Sequence, residues 1–498
     1  MKQINQSIFE KYPTRNTTLW KKGLPTILQI DRELRQNSKE IPIQVRDEKD
    51  NLVYRNCYHM INSYLISNSC HVNINNLSLK SVIYKNLEGL QISGKKECLQ
   101  IFGNPDVISK WKNYMSKYTI QRNFYKKYQV LKMIGKGSHA KVYKVERIQD
   151  SSIFAVKIFK SEKLTNKEKG LDSLMKEIDI MRKLEHRNVL QLHEVFEDDN
   201  NVYLVVDYLQ GGELLKQIEN SLEGYSEHLV QNLMQNLLSS LNYLHQKNII
   251  HRDIKPENLI LKQKDCLTDL VIADFGLSDI YNEQGIYLFQ RCGTVGYVAP
   301  EVLRDEFYDY KVDMFSVGVI LFILLTGEMP FQDNSDTDDL LKQNAYCQVN
   351  FNKLNNKSIS PAAQDFVRLL LDENVNIRPS AQQALQHDWF ANPKTNIAVS
   401  LSLTKLPVFQ TRLDQEGFIK SSTPLWNQKG SPLSEQSPLQ QYQQGEVLEQ
   451  EDEANYFKQF ISPGYDQYEI IEDCVDEEKT PSEMVPKYRL LVKQRSLK

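Results

Sequence analysis

Apolar residues fall into short extended runs through the first part of the chain and into helical spacings further on. Tyr128–Ile134, Ala140–Arg147 and Ile153–Phe159 predict three strands, Leu174–Leu184 a helix and Val202–Asp207 a further strand. Beyond Gly212 the pattern is mostly helical, ending in an apolar helix around Ala384–Phe390. Val317–Leu325 is a continuous apolar run, far short of the roughly 18 residues of a membrane span, and predicts a buried core helix. Upstream, residues 21–122 are rich in β-formers, with turns expected at Asn75-Asn76, Glu88-Gly89 and Ser93-Gly94. That zone closes in a helix on which Val107, Ile108, Trp111, Tyr114 and Met115 recur at spacings of three and four; Asp106 is expected to cap it, just after Pro105. Residues 1–20 are polar. In residues 391–498 Ser, Pro, Gln and acids replace the periodicity, with Pro following Thr423, Ser431, Ser437, Ser462 and Thr480. Both ends are expected to be disordered, because such compositions bury too little apolar surface to offset chain entropy.

Composition narrows this picture. The 498 residues suit two or three domains with linkers, and 41% hydrophobic with 25% charged residues is ordinary globular usage. A net charge of -3 gives no sign of a nucleic-acid binder. The charge is nevertheless uneven: residues 1–127 hold 21 Lys/Arg against 10 Asp/Glu, a net of +11, whereas residues 446–478 hold 12 acids and one Lys. Cys57, Cys70, Cys98, Cys266, Cys292, Cys347 and Cys474 form no CxxC pair, so neither a zinc site nor a disulfide framework is indicated. The polar start is unlike a secretory signal, so a cytoplasmic location is expected.

Three stretches carry chemistry. Gly135-Lys136-Gly137-Ser138-His139-Ala140-Lys141-Val142 sets two glycines between two strands, where backbone amides can fold over phosphates; alone it reads equally well as a glycine-bearing hairpin. Lys157, inside the apolar strand Ala155-Val156-Lys157, is costly unless paired, and Glu177 on the following helix is its natural partner. His251-Arg252-Asp253-Ile254-Lys255-Pro256-Glu257-Asn258 packs an acid, two cations and an amide into one octet, and Asp274-Phe275-Gly276 follows. There Asp253 can take a hydrogen bond from an attacking hydroxyl, Lys255 can neutralise a moving phosphoryl group, and Asn258 with Asp274 offers oxygens to a hard cation.

The ordered set resembles a eukaryotic protein kinase catalytic domain over residues 128–390, completed by Ala299-Pro300-Glu301, Asp313 before Phe315-Ser316-Val317-Gly318, and Arg378. The resemblance implies an α+β bilobal fold, β-rich N-lobe and mostly helical C-lobe, that transfers the γ-phosphoryl of Mg-ATP. It implies that Ile134, Val142, Ala155 and Ile260 sandwich adenine with Val206 behind, that the backbone of Asp207 and Leu209 bonds the adenine edge, and that Glu213 approaches the ribose or a basic substrate residue. Asn258 and Asp274 would hold Mg²⁺, Asp253 would orient the acceptor hydroxyl, and a buried Glu301–Arg378 pair would tie the large lobe together. Lys255, and Thr294 within Cys292-Gly293-Thr294-Val295-Gly296-Tyr297, resemble serine/threonine kinases, with Thr294 expected to reach Asp253 and Lys255. The stretch Leu192–Tyr208 followed by Gly211-Gly212-Glu213-Leu214 resembles the calcium/calmodulin-dependent kinase group, and Glu213 with Glu257 would favour basic protein substrates. A catalytically inactive scaffold is the alternative, against which the complete residue set stands.

Departures and flanks add further expectations. Ala140 replaces a third glycine and Phe315 a usual Trp; Gln290 stands at the usual activation-loop phosphosite, leaving Tyr281 and Tyr287 as loop alternatives, so phosphorylation there is not expected to be needed. No Asp-x-Asp-x-Asp-Gly calcium loop occurs and the basic residues Lys394, Lys405 and Arg412 are too sparse for a calmodulin segment. Residues 21–122 resemble a pleckstrin-homology domain in their strands, Gly89-Leu90-Gln91-Ile92-Ser93, Leu99-Gln100-Ile101-Phe102 and the Trp111 helix; this implies a sheet plugged by a helix, with Lys21-Lys22 and Lys95-Lys96 as contacts to phosphoinositide headgroups at a membrane periphery. Phe457-Lys458-Gln459-Phe460 with Ser462 is similar to a hydrophobic docking motif, off by one in spacing, and reads first as a solvated acidic stretch.

Overall fold

The computed structural model describes residues 21–22, 41–46, 52–66, 70–94, 98–137, 140–165, 170–220, 225–264, 266, 268–281, 292–331, 337–355, 359–391, 412–413, 469–472 and 488–491. The expected disorder of residues 1–20 and of most of 391–498, and the Phe457–Ser462 motif, lie outside them. The chain falls into two units, Met1–Ser422 and Thr423–Lys498. In the second unit, Glu469–Glu472 pairs antiparallel with Tyr488–Leu491.

In the first unit, strands Lys21–Lys22 (β1), Ile41–Arg46 (β2), Leu52–Ile61 (β3), Tyr64–Ile66 (β4), Cys70–Asn73 (β5), Ser78–Tyr84 (β6), Leu87–Ser93 (β7) and Cys98–Phe102 (β8) precede helix Pro105–Ser116 (α1). From β2 to β5 and from β6 to β8 each strand pairs antiparallel with the next, and β2 also pairs with β8. Alternation sends Leu79, Leu90, Ile92, Leu99 and Ile101 inward, where they meet Ile108, Trp111 and Met115 of α1. Two expectations need correction. The β6–β7 turn is at Lys85-Asn86, both at positive φ, and not at Glu88-Gly89. Gly89 is needed inside β7 instead, because a Cβ there would stand 2.4 Å from the Phe102 ring. Helix α1 starts at Pro105 itself, which needs no N–H partner at that position, and its cap is Asn104, whose Oδ1 accepts the Asp106 N–H at 2.9 Å.

Ile120–Gln121 (β9) leads into Tyr128–Lys136 (β10), Ala140–Arg147 (β11), Ile153–Lys160 (β12), helix Gly170–Lys183 (α2), Leu192–Glu197 (β13) and Asn201–Asp207 (β14). Strands β10, β11, β12, β14 and β13 lie side by side in that order, all antiparallel. The sheet continues past them: β9 runs parallel to both β13 and β6, so one hydrogen-bonded series passes from the upstream strands into this lobe. Helix α2 begins at Gly170, earlier than the apolar spacing from Leu174 predicts, because Leu171 is the single large apolar residue of its first turn.

After the short helix Leu214–Asn220, helix Glu227–Gln246 (α3) follows with Ser226 as its cap. Helix Lys311–Thr326 (α4) contains the apolar run Val317–Leu325, buried throughout, and ends at Gly327, whose φ of 75° closes the last turn. Pro361–Leu370 (α5) packs on α4. The helix expected over Ala384–Phe390 is two short pieces, Ala381–Ala384 and Asp388–Ala391; the Trp389 N–H donates to His387 Nδ1 at 3.2 Å, which starts a new turn. Arg412–Leu413 adds antiparallel to Gly293–Thr294.

Candidate active site

The strand alternation of β12 fixes where Lys157 points. Its ammonium lies 2.7 Å from Glu177 Oε1 on α2 and 3.1 Å from Asp274 Oδ1. Burial works against the charge, yet the carboxylates of Asp274 and then Glu177 outweigh it and raise the Lys157 pKa, so it stays an ammonium. Asp274 holds a positive φ of 59°, a conformation costly for a residue with a Cβ. The Gly276 N–H donates to its Oδ1 at 3.3 Å.

A second cluster forms around Asp253, which is 3% exposed. Thr294 Oγ1 donates to Asp253 Oδ1 at 2.6 Å, and Lys255 Nζ donates to Thr294 Oγ1 at 2.7 Å. Asn258 Nδ2 donates to the Asp253 carbonyl at 2.8 Å and to Oδ2 at 2.9 Å. The two clusters are joined through backbone, since Ala273 N–H, just before Asp274, donates to the Asn258 carbonyl at 2.9 Å.

The octet is held from below by Asp313 on α4, which is fully buried. Its carboxylate accepts the N–H groups of His251 at 2.9 Å and Arg252 at 2.8 Å, and His245 Nε2 lies 2.9 Å away. Burial alone would raise its pKa; the His245 hydrogen bond, the neighbouring His245 and His251 and the His251 N–H hold it below the usual range instead. Further down, Arg378 Nη1 and Nη2 donate to Glu301 at 2.6 and 3.1 Å, both residues buried, with the guanidinium 5.0 Å from the Phe315 ring centre.

The remaining assigned residues take these places. Gly135 and Val142 are cross-strand partners, as are Lys136 and Lys141. Gly137 N–H closes the hairpin on the Ala140 carbonyl at 2.9 Å, whereas Ser138 and His139 lie outside the described residues. Val142 pairs with Lys157, Ala155 with Val206, and Glu213 with Ile260, while Ile134 is exposed. The Asp207 N–H donates to the Gln191 carbonyl at 3.3 Å, so it is not open to an adenine edge. Leu209 follows just beyond the end of β14. The chain approaches closely at Gly211, where a Cβ would lie 2.5 Å from the Gln263 carbonyl. Glu213 lies 3.0 Å from Lys216. The Glu257 carboxyl is pushed up by burial, with Lys255 opposing and Asp253 and Glu213 adding to the rise; its buried Oε2 has no hydrogen-bond partner among the described residues.

Sequence reasoning overlooked Asp279. Its carboxylate is 3.3 Å from Arg252 Nη2 and also meets Lys176 of α2. The sequence signal was an acid five positions after Asp274; the arginine it serves, Arg252, lies 27 positions upstream. Tyr281, named above as a phosphorylatable alternative in the loop, is 7% exposed, its hydroxyl donates to the His245 carbonyl at 2.9 Å, and burial pushes its pKa up to about 12. Tyr287 and Gln290 lie outside the described residues.

Comparison with known proteins decides the family: the protein kinase domain family matches residues 128–390, just over half of the chain. The chain belongs to the protein kinase family. Over 270 residues this kinase is 39% identical to myosin light chain kinase A of Dictyostelium discoideum, covering 54% of the chain and 90% of that relative. It is 38% identical over 266 residues to calcium/calmodulin-dependent protein kinase type 1 of Macrobrachium nipponense, 53% of the chain and 75% of the relative. Serine/threonine-protein kinase cds1 of Schizosaccharomyces pombe is 35% identical over 281 residues, 54% and 59% of the two lengths. The kinase is thus a protein serine/threonine kinase of α+β fold acting on protein substrates, and membership implies ATP as phosphoryl donor. Among the described residues no helix is long and apolar enough to cross a membrane.

Proposed function

We propose that Asp253 takes the proton of a Ser or Thr hydroxyl while Lys255 neutralises the moving phosphoryl group, with Thr294 holding both side chains in place. Lys157, kept charged by Asp274 and Glu177, would touch the nucleotide phosphates. The observation that carries this assignment is the pair of clusters Glu177–Lys157–Asp274 and Asp253–Asn258, joined at Ala273. The residues also fit Mg²⁺. Asn258 spends its amide hydrogens on Asp253, which leaves its carbonyl oxygen as the acceptor, and Asp274 adds a carboxylate. When bound, the ion would offset phosphate charge. The intact Lys157–Glu177 contact disfavours the inactive-scaffold alternative.

Basic protein substrates are the class this site would select, because Glu257 combines a raised pKa with an unbonded buried oxygen. Activity without a loop phosphate is supported by Asp279, which supplies Arg252 with an anion from within the chain. Phosphorylation of arrayed Ser and Thr peptides by the full chain, with Lys157→Met as the blank, tests the assignment; label confined to acidic peptides would refute the substrate class.

Upstream, the meander closed by β2 on β8 and filled by Trp111 supports the pleckstrin-homology-like assignment of residues 21–122. The charge of +11 over residues 1–127 favours anionic phosphoinositides, with Lys21-Lys22 on β1 and Lys95-Lys96 outside the described residues. Cosedimentation with phosphoinositide vesicles tests that partner.

A further inference from the structure

Helix α2 carries Glu177, and five positions later it carries Arg182, a guanidinium that is 5% exposed. A buried arginine needs fixed acceptors. Asp179, one turn back on α2, is 3.7 Å from Nη1, but two hydrogen bonds of Arg182 leave the kinase domain: Nε donates to the Lys117 carbonyl at 2.9 Å and Nη1 to Asn76 Oδ1 at 2.6 Å. Lys117 is the C-cap of α1, so the cation also sits at the negative end of that helix. Asn76 is 8% exposed in the turn between β5 and β6, at φ 62°, and its own N–H donates to the Tyr118 carbonyl at 2.9 Å. One side chain therefore ties α2 to both the helix and a turn of the upstream module.

The backbone makes the joint stiff on either side. Ile120 N–H donates to the Leu77 carbonyl at 2.8 Å, and β9 pairs at once with β6 of the module and β13 of the kinase. The link to β10 is packed as well: Phe124 stacks on Tyr203 at 4.5 Å between ring centres, and Lys127 Nζ and Tyr128 OH bond Glu194 at 2.5 and 2.8 Å. A module mounted this way cannot shift without moving Lys117 and Asn76, and hence the end of α2.

We infer that the upstream module braces helix α2, with Arg182 as the positioning residue that keeps Glu177 against Lys157. The inference rests on the role proposed above for the Lys157–Glu177 pair. The module is thus a handle on the active site, and whatever binds it has a mechanical route to Lys157.

The test uses the full chain. Arg182→Met and, from the module side, Asn76→Ala are each expected to lower kcat/KM for peptide by about 3- to 30-fold, the scale of such indirect couplings. Arg182→Lys, which keeps a donor, is expected to recover part of the loss. In a Glu177→Gln background Arg182→Met should have little further effect, because both act on the same contact. Should Arg182→Met fail to fold, Asn76→Ala and Arg182→Lys carry the same cycle. Wild-type kcat/KM in Asn76→Ala and Arg182→Met, or losses that simply multiply with that of Glu177→Gln, would overturn the brace. Full activity of Glu177→Gln alone would instead overturn the underlying assignment of the Lys157–Glu177 pair.

Discussion

The Arg252 guanidinium lies 3.3 Å from the carboxylate of Asp279. Asp279 also binds Lys176 on α2, so one acid links the octet to the helix that carries Glu177. Both side chains are buried, and removing one partner of a buried ion pair costs about 3–5 kcal/mol. Asp279→Asn is therefore expected to lower turnover by about tenfold or more, whereas phosphatase treatment of the wild type leaves turnover unchanged. Turnover measured beside intact-mass spectra checks both; a wild type silenced by phosphatase would contradict the role given to Asp279.

Glu301 and Arg378 are sealed under the helical lobe, far from water. Removing one partner strands the other charge, at a cost of about 3–5 kcal/mol. Arg378→Met is expected to lower the denaturant midpoint accordingly, with Phe315 also losing the cation over its ring. Equilibrium unfolding in urea measures it; a shift below about 1 kcal/mol would show the pair to be replaceable.

Much of this was legible in the residues. Lys157, Glu177, Asp253, Asn258, Asp274 and Thr294 were recognisable because their chemistry requires those types in that order, and the structure brings them together. Strand positions were legible from alternation, but their ends were not: β10 continues to Lys136 because cross-strand pairing with Lys141 extends past the apolar run. The Lys85-Asn86 turn was missed because Gly89 imitates a turn signal, while its real constraint is the Phe102 ring across the sheet. Arg182 gave no signal, and Asp279 only its place after Asp274, for a similar reason. Their partners lie 65 to 106 positions away for Arg182 and 27 for the Asp279–Arg252 contact, and only the fold supplies such neighbours.

Glu257 gives a pH signature. Burial raises its pKa above the ordinary 4.5, so the empty site favours the neutral acid more than solvent does. A bound Arg or Lys favours the carboxylate. Affinity for a basic peptide is therefore weakest at low pH and strengthens as pH rises through the raised value. KM for an Arg-containing peptide should fall over that interval, and Glu257→Gln should abolish the trend. A peptide with no basic residue showing the same trend would refute the assignment.

Arg412–Leu413 lines the strand edge of Gly293–Thr294, next to the hydroxyl that donates to Asp253. An extended peptide would compete for that edge. A chain ending at Ala391 is expected to show a lower peptide KM and an unchanged kcat in steady-state assays; an unchanged KM would mean that the pairing does not obstruct substrate.

In the assignment proposed above, Asp253 would act on the hydroxyl and Asp274 on the metal-bound nucleotide. The most direct measurement is Mg-dependent phosphoryl transfer by Asp253→Asn, with nucleotide binding followed separately. Turnover should fall by about 10²- to 10⁴-fold, the usual contribution of a general base, while nucleotide affinity stays near wild type and that of Asp274→Ala drops. Wild-type turnover in Asp253→Asn would contradict the account.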